Sequence, residues 1–420
     1  MDQPQIVDIT PLREGRSAPE VDKAIFEALS CDFFVGIKGY DPAFDQVGAE
    51  LRRLWGEMAK QPQLFTKYDG KDLFYQRGTR AGMVRPGEVF IQDPFRTQIM
   101  LGPRLEPDNP LNDYHPYHAH LPNRIVEEVP ELIPTAEAYH QLQSEHDLLI
   151  AEALERTMQL PRGFFAARLV WGNSVLRGLD YRVQGIIKDK KVISGMEVRG
   201  KEVNGVTVYD VLTSEGLVKN VTLISPHDDV DFWADLMKLK GSLNILRRDG
   251  SKINFRGQTG VKLLNTGIQA SHASAYWNGE KRDSYFDGGV HWAEIENAEP
   301  GDIIDYHGQS VIVFTHPRFA APIAALDRRV DHLEKPSYTN VILREVLAQR
   351  GHEADASALS RLEQSLQEET ALATGPLSDR EMITRLLDYE KRKGIHKLRR
   401  YEEELPNLIE MWLEGHRQAA

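Results

Sequence analysis

The sequence has few of the features that distinguish disulfide-rich, membrane or secreted proteins from ordinary globular proteins. It contains one cysteine, Cys31, among 420 residues, so no disulfide can form within the chain, and we expect a reducing, cytoplasmic setting. No apolar run approaches the ~18 residues that a membrane helix needs. Residues 1–10 lack the basic segment and apolar core of a secretory signal. We therefore expect no membrane partner.

Positive charge is also scarce. The chain has 51 Lys and Arg residues against 63 Asp and Glu residues, which gives a formal net charge of −12. Nucleic acids and anionic membranes are bound through clustered Lys and Arg, so we expect neither as a partner. Hydrophobic residues make up 41% of the chain, which excludes wholesale disorder.

The first 160 residues predict an α/β region. Apolar spacing favours strands at 6–9 and 33–37 and helices at 21–29 and 43–58, and Cys31 falls at the second predicted strand. A further long helix is predicted at 136–160. Residues 60–112 are rich in Gly, Pro and aromatic residues, and we expect them to form loops over a core.

The next part of the chain, residues 161–335, predicts mostly β-structure. Short apolar, β-branched segments are separated by turn signals such as Asn278-Gly279 and Pro300-Gly301, which is typical of a sandwich or barrel. Residues 187–220 predict a hairpin with an Asn-Gly turn, and residues 336–420 a helical tail. The predicted strands are 168–171, 175–181, 192–197, 205–212, 218–224, 243–246, 261–264, 290–295 and 310–315.

A His-x-Asp pair, His227 and Asp229, follows the apolar run 221–225. In an extended segment residues i and i+2 point the same way, so an imidazole nitrogen and a carboxylate oxygen can meet one ion. A distant second histidine would complete a set of two histidines and one carboxylate, which is diagnostic of non-haem Fe(II) oxygenases. The pair alone is a weak signal, because many surface loops contain one.

Several other segments occur in an order that strengthens this interpretation. Together with His227 and Asp229 they resemble the isopenicillin N synthase-like family of Fe(II)- and 2-oxoglutarate-dependent oxygenases, over about residues 5–350. The resemblance implies an α+β protein with a double-stranded β-helix (jelly-roll) core at 161–335, an inserted hairpin at 187–220, an N-terminal α/β flank at 1–160 and a helical C-terminal tail at 336–420. The segments are 5–12 (QIVDITPL), 33–37 (FFVGI), 175–181 (VLRGLDY), 241–250 (GSLNILRRDG), 260–267 (GVKLLNTG), 277–279 (WNG) and 314–318 (FTHPR).

The resemblance also implies a reaction. In the family, 2-oxoglutarate and O₂ bind at Fe(II), and decarboxylation of the keto acid to succinate and CO₂ drives oxidation of a small-molecule substrate. Hydroxylation, desaturation or ring closure can result. Biosynthesis of a specialised metabolite is one setting for such an enzyme.

The third iron ligand has more than one candidate. In the family this histidine starts a strand shortly after the Asn-Gly turn, and His291 opens an apolar run 12 residues after Gly279. His316 is the alternative, because residues 300–309 can also be matched to the segment that precedes the ligand. His307 is a third candidate. Each of them could instead be an ordinary hydrogen-bonded histidine of the barrel.

The sequence departs from the family where the co-substrate should bind. An Arg-x-Ser motif is expected after the distal histidine, with the arginine paired to the far carboxylate of 2-oxoglutarate. Here Gly308 replaces the arginine, whereas Ser310 is present. The family tyrosine is present as Tyr181, but Leu179 stands in place of the usual asparagine. Tyr181 and Ser310 are therefore the predicted co-substrate residues.

Three interpretations of this departure stay open. Another cation, Arg318, Arg177 or Lys262, could bind the far carboxylate. Alternatively, the iron could oxidise its substrate with O₂ and without 2-oxoglutarate. In the third, the barrel has lost catalysis and serves to bind a small molecule.

A histidine-rich segment, residues 115–120, contains His118 and His120 at strand spacing. The neighbouring prolines predict a loop, and family members place loops over the barrel mouth here. We expect a structural or solvent-facing role for both histidines, with contact to the substrate, as substrate-loop residues, or a second metal site as the alternatives.

The tail carries an apolar stripe of helical spacing near the C-terminus. Its members, Leu405, Leu408, Ile409, Trp412 and Leu413, must be covered either by the barrel or by a second subunit. A homodimer through the C-terminal helices is therefore one expectation.

Overall fold

A computed structural model of the chain describes residues 3–73, 76–81, 96–113, 121–186, 197–203, 206–212, 221–295, 303–318, 326–327, 330 and 379–417. Among them, no helix combines the length and apolar character needed to cross a membrane. The helices are α1 (Thr10–Arg13), α2 (Pro19–Asp32), α3 (Ala43–Ala59), α4 (Pro62–Lys67), α5 (Leu132–Thr157), α6 (Ala166–Leu169), α7 (Ile268–Ala273), α8 (Asp379–Lys393) and α9 (Leu405–Arg417). The strands are β1 (Ile6–Asp8), β2 (Phe34–Lys38), β3 (Gly78–Ala81), β4 (Arg96–Leu101), β5 (Val175–Ile186), β6 (Glu197–Val203), β7 (Val206–Leu212), β8 (Val221–His227), β9 (Trp233–Lys240), β10 (Ser242–Leu246), β11 (Lys252–Arg256), β12 (Lys262–Thr266), β13 (Ala275–Asn278), β14 (Lys281–Ser284), β15 (His291–Ile295) and β16 (Ile303–Thr315).

Two sheets form the centre of the fold. The larger has the strand order β1-β2-β12-β9-β16-β5-β4-β3, and the smaller has the order β11-β10-β15-β8. From β8 onward the chain passes repeatedly between the two sheets, since β9, β12 and β16 lie in the larger one and β10, β11 and β15 in the smaller. Such alternation is typical of a jelly roll.

The larger sheet is buried on both faces, which explains its nearly continuous apolar strands. In β9, Ala234 and Leu236 belong to the apolar cluster shared with the smaller sheet. Their neighbours Trp233 and Met237 belong to a second cluster, shared with the helices. This alternation of faces follows from the two-residue period of a strand. Residues lining the space between the sheets can therefore be assigned by parity.

The predicted N-terminal elements are present. Strand β1 pairs in parallel with β2, which then pairs with β12 of the larger sheet. The predicted helices at 21–29, 43–58 and 136–160 correspond to α2, α3 and α5. The apolar faces of these helices bury against the outer face of the larger sheet, in one cluster with that sheet.

The strand predicted at 168–171 is wrong, because residues 166–169 form the short helix α6. A short apolar run does not by itself distinguish a buried strand from a buried helical turn. The carboxylate of Glu155 accepts hydrogen bonds from the backbone N–H groups of Gly163, Phe165 and Ala166 at 2.7–2.8 Å. It thereby satisfies donors that the start of a helix leaves open.

The loop prediction for residues 60–112 is also wrong in part. Helix α4 and strands β3 and β4 lie in this range, and β4 pairs with β5, so both strands extend the larger sheet. Their period is hidden because the face of β4 toward the smaller sheet carries Arg96 and Gln98 at alternate positions. Polar residues on that face break the alternation of apolar and polar residues that identifies a strand.

Cys31 lies in the last turn of α2, not in a strand, and it is exposed. The helix runs on to Asp32 because Phe33, at φ 63°, provides the left-handed residue that ends it. Strand β2 starts only after this turn, at Phe34.

Part of the predicted hairpin is described. Strands β6 and β7 pair antiparallel within residues 187–220, and β7 also contacts β5. Most of the strand predicted at 192–197, and residues 336–378 of the tail, lie outside the described residues.

The C-terminal stripe packs on its own chain. Leu405, Leu408, Ile409 and Trp412 are 0–7% exposed and belong to the same apolar cluster as α5 and α6. The Arg168 guanidinium stacks 4.6 Å from the centre of the Trp412 ring. This chain therefore covers four members of the stripe that suggested a dimer contact, and the side chain of the fifth, Leu413, lies outside the described residues.

Glu390 connects the tail to the rest of the molecule. It is fully buried, and its carboxylate accepts hydrogen bonds from the Trp171 indole (2.7 Å) and from the backbone N–H groups of Leu398 (2.8 Å) and Arg399 (2.9 Å). We expect Glu390→Ala to lower the free energy of unfolding by at least about 2 kcal/mol, because one buried donor and two partly buried donors lose their acceptor. Urea denaturation measures the change. The control is Glu402→Ala, which removes an exposed ion pair with Lys391 and should cost less than about 1 kcal/mol.

Candidate metal centre

Three predicted ligands meet where two strands of the smaller sheet end side by side. Strand β8 ends at His227, and Asp229 follows in the turn before β9. Strand β15 begins at His291, and its antiparallel register places His291 directly opposite His227. The N–H of Ile268 donates a 2.8 Å hydrogen bond to the backbone carbonyl of Asp229 and fixes the turn. Sheet pairing thus brings together residues that are far apart in sequence.

Their ligand atoms are close enough to share one ion. One nitrogen or oxygen from each of His227, Asp229 and His291 lies within 4.8 Å of the other two. The Nε2 atom of His227 is 3.8 Å from Asp229 Oδ1, and the Nε2 atom of His291 is 3.7 Å from Asp229 Oδ2. Two imidazoles and one carboxylate on one side of an ion leave its other side open, as in the facial sets of non-haem iron sites.

His291 is held in the form that a metal ligand requires. Its Nδ1 lies 2.8 Å from the carbonyl oxygen of Gly289, so the Nδ1–H donates there and the Nε2 lone pair faces Asp229. Burial lowers the pKa of His291 below its ordinary value. The imidazole is therefore neutral at neutral pH, and only a neutral imidazole can bind a metal ion.

Neighbouring residues fix the other sides of this group. Asn265 of β12 donates a hydrogen bond of 3.2 Å to Asp229 Oδ2. Phe34 of β2 packs edge-on against the His291 ring, with 6.0 Å between ring centres. A Cβ atom at Gly289 would lie 2.7 Å from the Phe34 ring, so a glycine there allows the aromatic contact. The N-terminal flank thereby helps to position a ligand.

A cavity of about 170 Å³ opens beside the three ligands, between the two sheets. Both predicted co-substrate residues, Tyr181 on β5 and Ser310 on β16, line it and are buried. Its apolar wall is formed by Leu179, Ile224, Leu236, Leu243, Ile312 and Phe314.

Two arginines also line this cavity, and one of them is the predicted Arg177. Its guanidinium lies 4.2 Å from the centre of the Phe314 ring. Burial, and after it repulsion from Arg96, lowers the pKa of Arg177 to about 10, against the attraction of Asp229 and Asp231. Arg177 is thus a cation at neutral pH, in electrostatic contact with one of the three ligands.

Sequence reasoning missed the other arginine, Arg96 on β4. Arg96 pairs with Tyr181 in the register of β4 and β5, and it lines the same cavity. It lies in the range whose composition predicts loops. The one available signal is that Arg96, Gln98 and Met100 occupy alternate positions and so share one face of a strand. Because two of the three are polar, this signal does not stand out in the sequence.

The other two predicted cations lie elsewhere. Arg318 donates through Nη1 to the carbonyl oxygens of Ala167 (2.7 Å) and Val170 (3.0 Å), and thereby ties the end of β16 to α6. Lys262 points to the helix-covered face of the larger sheet, where its Nζ is 2.8 Å from Asp235 Oδ2. Neither of these two candidates for the carboxylate anchor lines the cavity.

The other candidate histidines lie outside the group of three. His316 is buried, and burial lowers its pKa to about 3. His307 lies on β16, and its Nε2 is 2.8 Å from Asp180 Oδ1. His118 and His120 lie outside the described residues.

No protein-family model matches the chain, and no curated protein matches it. Solved structures do share its fold. A full-length Neurospora crassa protein, in complex with alpha-KG (2-oxoglutarate) and thymine, is 15% identical with a TM-score of 0.57, over 82% of this chain and 96% of that one. A Caulobacter crescentus protein, described as belonging to the 2OG-Fe(II) oxygenase family, is 15% identical with a TM-score of 0.56, over 88% of this chain and all of that one.

A third structure agrees with these two. The same Neurospora crassa protein, with alpha-KG and 5-formyluracil, is 16% identical with a TM-score of 0.55, over 82% of this chain and 95% of that one. The isopenicillin N synthase-like subfamily stays a prediction. The fold of this chain is that of 2-oxoglutarate/Fe(II) oxygenases.

Proposed function

We propose that the protein is an Fe(II)-dependent dioxygenase that uses O₂ and 2-oxoglutarate to oxidise a small molecule. The observation that carries the proposal is the convergence of His227, Asp229 and His291 beside a cavity that contains Tyr181 and Ser310. A metal-binding group and a cation-lined cavity occur together in a fold whose solved examples include a complex with alpha-KG.

The residues present fit Fe(II). The donor set combines two imidazoles with one carboxylate, which suits this ion and leaves positions for other ligands. Because burial favours the neutral form of His291, its Nε2 is available to a metal without losing a proton. We infer that these three residues are the iron ligands, with His291 rather than His316 as the third.

The bound iron would supply the activation of O₂ that is coupled to decarboxylation of the keto acid. The protein's own contribution is to position the reactants. His227, Asp229 and His291 would hold the ion at the edge of the cavity that Tyr181 and Ser310 line. The Tyr181 and Ser310 hydroxyls can donate hydrogen bonds to a carboxylate there, and Leu236 and Ile312 restrict water.

The proposed substrate is a small molecule, and the outcome is hydroxylation, desaturation or ring closure. The solved Neurospora crassa complex with thymine supports a substrate of this size. We further propose that residues 161–335 are the catalytic core, since all three ligands lie there, with 1–160 as a flank and 336–420 as an extension.

One observation favours a second candidate, an iron oxidase that works without 2-oxoglutarate. Gly308 provides no cation on the strand where the family has one. The two arginines that line the cavity favour the first candidate, because they offer positive charge to an anionic co-substrate.

An anaerobic titration followed by an aerobic assay tests the proposal. We expect a visible charge-transfer band when protein, Fe(II) and 2-oxoglutarate are combined, because the keto acid chelates the bound ion. On admission of O₂ we expect succinate, formed slowly even without the substrate. The measurements are the absorption spectrum and succinate by chromatography.

The controls separate the alternatives. Omission of Fe(II), or its replacement by Zn²⁺, should abolish both signals. Substrate-dependent O₂ uptake that does not require the keto acid would support the oxidase instead. If the protein failed to bind Fe(II) at all, the proposal would be contradicted. The remaining interpretation would be a non-catalytic barrel that binds a small molecule.

A further inference from the structure

One row of residues crosses three strands of the larger sheet at the end of the cavity. Gly308 of β16 pairs with Tyr181 of β5, and Tyr181 pairs with Arg96 of β4. Residues directly opposite each other in a sheet point to the same face. Tyr181 and Arg96 both line the cavity, so the row presents a glycine, a phenol and a guanidinium to the same space.

The residue spacing along β5 gives the distance between this row and the proposed metal centre. Tyr181 is four residues beyond Arg177, which at ~3.3 Å per residue puts their Cα atoms about 13 Å apart. Arg177 is in electrostatic contact with the proposed ligand Asp229 and with Asp231. Arg177 therefore belongs to the metal end of the cavity, and Arg96 to the end away from the metal.

The space above Gly308 is taken by a neighbour. A Cβ atom at residue 308 would lie 2.8 Å from the Tyr306 hydroxyl and 3.0 Å from its ring carbon Cε1. Tyr306 is half-buried and packs against the apolar cluster between the sheets. A long side chain at 308 would have to displace this ring, which gives a steric reason for the glycine.

We propose that Arg96 binds the far carboxylate of the keto-diacid co-substrate and takes the place of an arginine at position 308. This inference rests on the proposed function and assigns one step of it. The keto-acid end lies at the metal, and the far carboxylate reaches the Tyr181 row. There the Arg96 guanidinium forms paired hydrogen bonds with it, and the Tyr181 and Ser310 hydroxyls donate to the same group. A planar guanidinium matches a carboxylate better than an ammonium does.

The other cations are excluded by their positions. Arg318 and Lys262 are engaged outside the cavity. Arg177 stacks on Phe314 and faces two carboxylates at the metal end, where a far carboxylate does not lie. Of the cations that line the cavity, Arg96 is thus the one whose distance from the metal end matches the far carboxylate of a keto diacid.

The test compares two keto acids that share the chelating end. 2-Oxoglutarate carries the far carboxylate, whereas 2-oxobutyrate lacks it. Dissociation constants are measured anaerobically with Fe(II), by calorimetry and by the charge-transfer band. We expect Arg96→Ala to weaken 2-oxoglutarate binding about 10- to 100-fold, as for the loss of a charged hydrogen-bond pair. Binding of 2-oxobutyrate should change by less than about twofold, because it makes no contact with Arg96.

Further variants separate an anchor from a general effect of charge. Arg96→Lys should recover part of the affinity. Arg104→Ala, an exposed arginine just beyond the end of β4, should leave both acids unaffected. Arg177→Ala should weaken both acids together, because it acts at the metal end. In Arg96→Ala/Gly308→Arg, a guanidinium on the other side of Tyr181 should restore selectivity for the diacid if the Tyr306 ring is displaced to make room for it.

The outcomes are distinct. If the unmodified protein with Fe(II) does not bind 2-oxoglutarate, the proposed function itself fails. If it binds the diacid and Arg96→Ala binds it equally well, or loses both acids in parallel, the function stands and the assignment of Arg96 is overturned. Circular dichroism of each variant establishes that the fold is retained, and Arg96→Lys provides the same comparison should the double variant not fold.

Discussion

Asp229→Ala is expected to abolish Fe(II) binding and, with it, all keto-acid turnover. Asp229 is the only anionic member of the group and lies within 3.8 Å of a nitrogen of each histidine. Loss of a residue that merely orients a ligand costs 10- to 100-fold in metal affinity, so loss of a ligand should cost more than about 100-fold. Anaerobic calorimetry with Fe(II) measures the affinity directly.

The neighbouring Asp228 offers a matched control. It has the same charge, is exposed, and lies between the two proposed ligands in sequence. We expect Asp228→Ala to keep Fe(II) affinity within a few-fold of the unmodified protein. Equal affinities in Asp228→Ala and Asp229→Ala would contradict the proposed metal centre.

Stability provides an independent readout of the role of Asp229. Burial, and after it the charge of Asp229, raises the pKa of Asp231 well above its ordinary range. The metal-free protein thus holds a buried carboxyl group, Asp231, whose ionisation the neighbouring charge of Asp229 disfavours. We expect Asp229→Ala without metal to be no less stable than the unmodified protein. If Asp229 were purely structural, its replacement would instead lower the stability of the protein.

The proposed metal centre could be predicted from sequence because its signals are local or depend on the order of segments. The two-residue spacing of His227 and Asp229 needs only an extended backbone. His291 could be predicted as a candidate by its place at the start of a strand, with His316 and His307 as the alternatives. Which strand lies beside β8 is a long-range property, and only the pairing of β15 with β8 brings His291 opposite His227.

Arg96 could not be found in this way. Its position in the cavity depends on the pairing of β4 with β5, and the polar face of β4 conceals its period. Lys262 illustrates the same limit of sequence-based prediction, because the sequence made it a candidate cation of the cavity. Strand β12 is buried on both faces, so composition does not tell which of its residues face the cavity. Asn265 contacts Asp229, and Lys262, three positions away, therefore faces the helices.

The larger sheet thus separates two polar systems. Toward the smaller sheet it carries the cavity with Arg96, Arg177 and Tyr181. Toward the helices it carries Lys262 and Asp235, which join Gln143 and His146 of α5. The first system faces a space that can receive a ligand. The second consists of ion pairs and hydrogen bonds within the protein, so its changes should appear in stability and not in ligand affinity.

Lys262→Met is expected to lower the free energy of unfolding by about 3–5 kcal/mol, as is found when one partner of a buried ion pair is removed. Lys262 and Asp235 are both fully buried, with 2.8 Å between Nζ and Oδ2. The Lys262 ammonium also donates to Gln143 Oε1 at 2.8 Å and lies 3.7 Å from the centre of the Phe44 ring. Methionine retains the length of the side chain, so the cost comes mainly from the uncompensated carboxylate. Urea denaturation measures it.

The loss should depend on pH with a definite sign. Burial alone would raise the pKa of Asp235, but Lys262 and His146 hold it well below its usual range. In the unmodified protein this carboxylate therefore contributes stability above the unfolded-state pKa of about 4, which is lost as the pH falls below it. Without Lys262 burial dominates and the folded-state pKa rises. Protonation of Asp235 then removes the unpaired buried charge of the variant. The loss of unfolding free energy in Lys262→Met should therefore be smaller at pH 5 than at pH 8.

Two further variants identify the buried charge as the cause. Lys262→Met/Asp235→Asn removes both charges and should recover at least half of the lost stability, because no unpaired carboxylate remains in the core. Lys67→Met removes an exposed partner of Glu128 and should cost less than about 1 kcal/mol at either pH. If the deficit of Lys262→Met were the same at both pH values and in the double variant, packing around the methionine would be its source. The carboxylate would then not be what Lys262 stabilises.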